Sequence, residues 1–379
     1  MIAYIKKNPL AQIVLIFLVV EGFLFTWMWG IRQFVRIDLQ QDDASLYMGV
    51  PREENHWLEP WQRWDTTHYQ AIAIGGFDAF ETAYFTPPLY PALMGWTAPL
   101  FGGNTLVSGL FISGLAFLGC LLLMYRLSMD EFDNRERSLR TVVYLALYPA
   151  AFFLAAAYNE SLFLLSVLLC FLFMRRGQWL YAGLAALLAS LTRIPGIFLA
   201  VPLAYAAWQA WKKGDRKGWI PLLVMGLGMA GWYAYQWFVL GEAPTAILEA
   251  QGKRGGHLSL PGLNLVEAVR RIFEGRLAAA NAMELFFTLA FLLLTILVWK
   301  RLPRVYGLYA ACLMLFFLSR MGSPHPLVGM VRYTMEIFPV FFLFGDWGSR
   351  KGINRLIVYP FLAGLLFFSA QFASWGWVG

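Results

Sequence analysis

The sequence predicts an all-α polytopic membrane protein of about eleven transmembrane helices, and three observations carry that reading. Hydrophobic residues make up 59% of the 379-residue chain and charged residues only 14%, against roughly 25% charged in soluble domains. Apolar runs that meet or approach the length of about 20 residues needed to cross a hydrocarbon core recur along the whole chain. Basic residues collect between alternate runs. This composition excludes a soluble globule, a disordered chain, a collagen-like repeat and a disulfide scaffold. Cys120, Cys170 and Cys312 each lie inside an apolar run and read as packed thiols.

The expected spans, in order, are 10–30, 105–125, 141–157, 161–174, 180–192, 194–211, 219–240, 282–299, 305–318, 331–344 and 356–374. The first follows Lys6, Lys7 and Pro9 and has no small-residue cleavage site behind it, so it reads as a retained span. Six basic clusters (Lys6–Lys7; Arg126 to Arg140; Arg175–Arg176; Lys212 to Lys217; Lys300 to Arg304; Arg350 to Arg355) hold eighteen of the 30 Lys and Arg, all on one side of this topology. The short turns of the other side hold Arg193, Arg320 and Arg332. Positive residues stay inside, so the N-terminus is expected in the cytoplasm, and the net charge of +7 needs no nucleic-acid partner.

Two long segments fall on the outer side, 31–104 and 241–281, within one membrane domain covering 1–379. The apolar run 87–101 is short and carries prolines at 87, 88, 91 and 99, so it is expected to lie in the outer interface. Trp57, Trp61 and Trp64 suit headgroup depth. The first outer loop has nine acids against four bases.

No phosphate-binding Gly-rich loop, HExxH, paired CxxC or nucleophile elbow is present. What stands out is Arg63-Trp64-Asp65-Thr66-Thr67-His68-Tyr69, followed by Tyr84-Phe85-Thr86-Pro87-Pro88-Leu89-Tyr90-Pro91. Asp65, His68 and Tyr69 share a helical face at i, i+3 and i+4, at the outer boundary. The plain alternative is that Asp65 caps a helix over 66–75, a role worth about 1 kcal/mol; the two readings are compatible. Outside this block, Arg193 has no acid near it in sequence, whereas Arg332 has Glu336 one turn on. Glu160 opens a span beside Asn159, placed to bind a ligand or to cap the helix. Glu21 is an acid inside the first span, a functional flag by default, with pairing to another helix as the alternative. Asp42 and Asp43, in the same loop, are the runner-up to Asp65 as its functional acid.

The pattern R-W-D-x-x-x-Y, then I-A and G-F, then F-T-P-P-L-Y-P resembles the PIG-V type mannosyltransferases, the family of the GPI mannosyltransferase 2 enzymes and their prokaryotic relatives. The likeness continues in Tyr148-Pro149-Ala150-Ala151-Phe152-Phe153, Tyr158-Asn159-Glu160-Ser161-Leu162-Phe163 and Leu191-Thr192-Arg193-Ile194-Pro195-Gly196. Weaker echoes are Ala250-Gln251 with Arg254, and Arg332-Tyr333 with Phe338-Pro339. Asp65, Tyr69, Ile72-Ala73 and Pro87-Pro88-Leu89 also match the register of the lipid A aminoarabinose transferases, with Thr66 in place of their second acid. A paired-carboxylate or metal-bridged site is therefore unsupported, and no cofactor is expected.

The resemblance implies a GT-C type bundle and an inverting glycosyltransferase. It would move mannose from a polyprenyl-phosphate donor to a hydroxyl of a lipid or glycolipid acceptor on the extracytoplasmic face. Asp65 would be the catalytic base. Arg63, His68, Tyr69, Asn159, Glu160, Arg193, Gln251, Arg254, Arg320, His325 and Arg332 are the candidate substrate-binding residues, with Lys253 and His257 as further outer cations. The compact length favours a prokaryotic plasma membrane. A transporter or flippase of lipid-linked sugars is the alternative; that class favours internal repeats and midplane sites, and neither is visible here. A scaffold with a degenerate site is opposed by the intact Arg63-Trp64-Asp65 block.

Overall fold

The computed structural model describes residues 8–35, 46–243, 245–253, 255–275, 279–323 and 325–378. The first helix, α1 (Pro9–Phe34), starts where Asn8 Oδ1 accepts the amides of Leu10 and Ala11 at 3.0 and 3.4 Å, with proline at the first position, which needs no amide partner. Its buried residues Ile13, Val20, Leu24 and Met28 form one stripe, while Leu15, Leu18, Val19 and Phe23 are exposed, as a lipid-facing helix requires. Two short helices follow, α2 (Asp65–Gly75) and α3 (Leu89–Thr97). At nine residues α3 is about 14 Å long, too short to cross a bilayer. It fills the segment expected at the interface, and Trp96 and Leu100 beside it are exposed.

Helix α4 (Thr105–Phe132) is capped by Asn104, and α5 (Arg135–Ala146) by Asn134, each side chain accepting an amide at 3.1 and 2.9 Å. The span expected over 141–157 is not one helix. After α5 the chain turns through 147–151, makes the single turn α6 (Phe152–Ala155), and restarts as α7 (Glu160–Arg175). Pro149 explains the break, because it cannot donate to the helical ladder and its ring clashes with the carbonyl four residues back. Next come α8 (Trp179–Thr192), a 3₁₀ turn (Ile194–Leu199), α9 (Ala200–Lys212), α10 (Ile220–Phe238), α11 (Ala246–Lys253), the short strand β1 (Gly256–Leu258) and α12 (Leu263–Phe273). Helices α13 (Ala279–Arg301) and α14 (Arg304–Leu318) precede strand β2 (Arg320–Gly322). The span expected over 331–344 is also broken: α15 (Met330–Tyr333) and a 3₁₀ turn (Thr334–Glu336) form a connection, and helix resumes only as α16 (Pro339–Trp347). The last helix is α17 (Lys351–Ala373).

Among the described residues, five helical segments are long and apolar enough to cross a membrane: Pro9–Phe34, Thr105–Phe132, Ile194–Lys212, Asn281–Arg301 and Lys351–Ala373. Trp179–Thr192 and Arg304–Leu318 are shorter apolar helices. The chain is thus an all-α membrane protein. It divides into two compact units, one of residues 1–83, 88–168 and 341–378, the other of residues 84–87 and 169–340.

In the first unit, α5 is tied to α16. Arg137 donates to the Phe342 carbonyl at 3.2 Å and pairs with Asp346 at 3.1 Å, and Arg140 donates to the Gly345 carbonyl at 2.9 Å. In the second, β1 pairs antiparallel with β2, His257 opposite Met321, so the second long loop and the turn after α14 share one end of that unit. Helix α12 exposes Val266, Val269 and Phe273 on one side, while Glu267, Arg270, Arg271 and Glu274 pair on the other, the pattern of a helix lying at an interface.

Gly196 closes the turn after α8: its amide donates to the Arg193 carbonyl at 2.9 Å, and an added Cβ would strike the Ser190 amide and the Ala189 carbonyl. Gly196→Ala is expected to cost about 1–3 kcal/mol, since a rigid backbone neighbour must move. A lower thermal unfolding midpoint of the purified protein checks this.

Candidate active site

In the first unit, Arg63 is fully buried, and its side chain is bound entirely by protein. Nη2 meets Glu59 Oε1 at 2.5 Å, Nη1 donates to the carbonyls of Glu59 and Gln62 at 2.6 and 3.0 Å, and Nε donates to the Ala373 carbonyl at 3.2 Å. The guanidinium carbon lies 4.9 Å from the Trp375 ring centre. Arg63 was expected to bind substrate; the structure makes it an anchor between the first loop and the end of α17. Glu59 also takes Arg32 at 3.0 Å and Arg52 at 3.7 Å. Burial pushes the Glu59 carboxyl up, but Arg63 and Arg32 together hold it below its usual value.

The next residue carries backbone strain. Trp64 has φ +51° and ψ −123°, a conformation costing a non-glycine residue about 1–3 kcal/mol. Its indole donates to the Gly376 carbonyl at 3.2 Å, and its ring packs edge-on against Trp375 and Trp377. Then α2 begins at Asp65 itself, with Trp64 in the cap position. The expectation that Asp65 caps a helix from 66 is therefore corrected by one residue: Asp65 is the first helical position, where the unpaired amides and the helix dipole favour a carboxylate. The Asp65 amide donates to Tyr158 Oη at 3.0 Å, and the same hydroxyl donates to the Arg63 carbonyl at 3.4 Å. Asp65 is half-buried.

Tyr158 belongs to the irregular turn before α7, so the break at 156–159 brings Asn159 and Glu160, both buried, to the same region as the start of α2. Thr66 Oγ1 donates to the Ala157 carbonyl at 3.4 Å across this junction. Tyr69 is buried against Tyr90 and Tyr158, with ring centres 5.2 and 6.2 Å away, so it packs the junction instead of facing a substrate. His68 is half-buried, with Nδ1 3.3 Å from the Trp64 carbonyl and its ring on Phe80. A cavity of about 750 Å³ opens beside Glu59, lined by Arg32, Arg52, Glu54 and His56 among others; Asp65 does not line it. Glu21 lies on α1 beside Gly114 of α4, and its Oε1 has no partner among the described residues.

The second unit holds the cations. Arg193 pairs with Glu336 at 2.8 Å, so the arginine without a local acid finds one 143 residues away. Arg332 donates to Tyr333 Oη at 3.1 Å. Arg320 lies with its guanidinium carbon 4.9 Å from the centre of the same tyrosine ring. Glu284, near the start of α13, accepts the amides of Gly329 and Val331 at 3.2 and 2.9 Å and so fixes the start of α15, which carries Arg332. His325 is half-buried, and its Nδ1 has no partner among the described residues. Lys253 ends α11 and His257 is exposed on β1. Arg254, Asp42 and Asp43 lie outside the described residues, as does the side chain of Gln251, whose backbone is in α11. No cluster of three metal-ligating side chains occurs among the described residues.

The residues that sequence reasoning missed as supports are Glu59, Tyr158, Glu284 and Tyr333, while Glu336 was named for Arg332 and not for Arg193. Two carried a readable signal: Glu59 is four residues before Arg63, and Glu284 is an acid inside an expected span.

Residues 31–213 match the family described as mannosyltransferase (PIG-V). Over 148 residues the chain is 29% identical to GPI mannosyltransferase 2 of Schizosaccharomyces pombe, a stretch covering 37% of this chain and 31% of that protein. Both the Asp65 block and Arg193 fall within the residues matched by the family.

Arg63→Ala is expected to lose about 3–5 kcal/mol, because it leaves Glu59 buried without its main counter-charge. Thermal unfolding in detergent measures it. The pH dependence has a definite sign. A carboxyl held below its unfolded value stabilises the fold above that value, and this share is lost as pH falls through the depressed one. The parent's midpoint should therefore fall on acidification below about pH 4.5, near the ordinary carboxyl value, and the variant's should fall less.

Proposed function

We propose, from the match of residues 31–213 to the PIG-V mannosyltransferase family, that the chain is a membrane mannosyltransferase using a polyprenyl-phosphate mannose donor and a lipid or glycolipid acceptor, on the extracytoplasmic face. The acceptor oxygen forms a bond to the anomeric carbon, from the side opposite the lipid phosphate. The bond from that carbon to the phosphate oxygen breaks, its electron pair leaves with the phosphate, and the configuration inverts. Asp65 takes the proton from the acceptor hydroxyl. Arg193, Arg320 and Arg332 carry three positive charges where Glu336 and Glu284 supply two negative ones. Such a cluster of fixed cations suits the phosphodiester of the donor, whose negative charge balances theirs.

What most supports this reading is the fixed Asp65 backbone, held by Tyr158 on one side and by the anchored Arg63 on the other, inside the segment matched by the family. Asn159 and Glu160 adjoin it and offer polar groups to sugar hydroxyls.

Asp65→Asn keeps the size and the backbone bonds and removes the base. In vesicles supplied with polyprenyl-phosphate mannose and extracted membrane lipids, mannose transfer should fall by about 10²–10⁴. Transfer at the parent rate would sink the assignment of the base, and efficient turnover with nucleotide-sugar donors alone would sink that of the donor.

A further inference from the structure

Tyr333 stands where the three arginines meet. The guanidinium carbons of Arg320, Arg332 and Arg193 lie 4.9, 5.0 and 5.6 Å from its ring centre, and Arg332 Nη2 donates to its hydroxyl at 3.1 Å. Phe317 of α14 stacks on the ring at 5.5 Å. Gly329, at φ +90°, brings its backbone so close that any side chain there would overlap the ring. Among the described residues, the charged groups acting on the phenol are Arg193 from the end of α8, Arg320 from β2 and Arg332 from α15. Behind them lie Glu336, paired with Arg193, and Glu284 of α13, which holds the amides of Gly329 and Val331. The ring is buried, so water screens little of the repulsion among the cations.

We propose that Tyr333 is the positioning residue of the phosphate seat: its ring spaces the three guanidiniums, and its hydroxyl occupies the hydrogen-bonding place of a phosphate oxygen until the donor arrives. This rests on the reading of the arginine cluster as the seat of the donor phosphate. A phenol oxygen and a phosphate oxygen present the same acceptor to Arg332. When phosphate takes over that bond, the neutral phenol keeps its proton and donates to the incoming oxygen. A phenolate has no proton to give and competes with phosphate for the same guanidiniums. Burial pushes the Tyr333 phenol up, yet Arg320, Arg332 and Arg193 together bring it down to about 8. Tyr333 sits on the connection ahead of α16, outside the membrane-spanning helices.

The test is direct binding of farnesyl phosphate, a short polyprenyl phosphate, to the full-length detergent-purified protein between pH 7.5 and 9.5. Calorimetry would compare the parent with Tyr333→Phe and Arg332→Gln. The parent should bind about tenfold more weakly at the alkaline end as the phenol ionises. Tyr333→Phe should bind about tenfold more weakly than the parent at pH 7.5, the loss of one hydrogen bond to a charged group. Its affinity should not change with pH, and its thermal midpoint should stay within a degree or two of the parent's. A variant that binds like the parent with the same pH profile, or that only loses thermal stability, overturns the positioning role, while loss of binding in Arg332→Gln would keep the phosphate seat. Unchanged binding in Arg332→Gln, or no binding by the parent, overturns both. If Tyr333→Phe does not fold, the parent decides alone: an affinity that is flat across this range overturns the proposal.

Discussion

The buried ion pair of Arg63 with Glu59 is the constraint on which the arrangement around Asp65 depends. A guanidinium removed from water is costly unless every donor is used, and Arg63 spends its donors on the Glu59 carboxylate and on three backbone carbonyls. One of those carbonyls belongs to Ala373, so the loop before α2 cannot move independently of the end of α17. Trp64 is held between two such fixed points, which is how a non-glycine residue keeps a positive φ. The strained bond turns the chain sharply, and α2 starts at Asp65. Backbone strain at a site of chemistry is tolerable only when the surroundings over-determine it. Here two tryptophans and an arginine do so.

The second unit uses charge differently. At Arg63 the charge is matched by Glu59 and the geometry is closed, whereas at Tyr333 three guanidiniums gather around one ring. Glu284 does not pair with a side chain in the bonds it makes to α15; it accepts backbone amides, which is the role of a helix cap supplied from another helix. The result is a short, rigid turn presenting Arg332 and Tyr333 from a known direction. Repulsion between like charges is tolerated because each guanidinium has a fixed aromatic or carboxylate neighbour.

Both sets of residues occur where apolar segments fail to continue as helices. The break after Pro149 frees Tyr158, Asn159 and Glu160 from a helical ladder, and the connection before Pro339 does the same for Arg332, Tyr333 and Glu336. In a membrane, irregular backbone is tolerated only where protein or water satisfies it. The protein partners are present: Ser113 donates to the Tyr158 carbonyl at 2.9 Å, and Tyr309 donates to the Glu336 carbonyl at 3.1 Å. Both candidate sets therefore lie where the helical rule is broken and neighbouring protein groups meet the cost.

Much of this was legible in the amino-acid order. Hydropathy runs located α1, α4, α8, α13, α14 and α17, because a helix in lipid must bury its own backbone bonds and show apolar side chains outward. The Arg63-Trp64-Asp65 block announced itself by residue type. What hydropathy misread were the spans over 141–157 and 331–344: an apolar run reports the surroundings of side chains and not the continuity of the backbone bonds beneath them. Sequence by itself determined that the chain is an all-α membrane protein and singled out the carboxylate and arginines proposed for its chemistry. Only the tertiary structure decided their partners, burying Arg63 as an anchor, giving Arg193 the distant Glu336, and setting Tyr333 among three guanidiniums. Charge pairing acts over a few ångströms of space, whatever the separation along the chain.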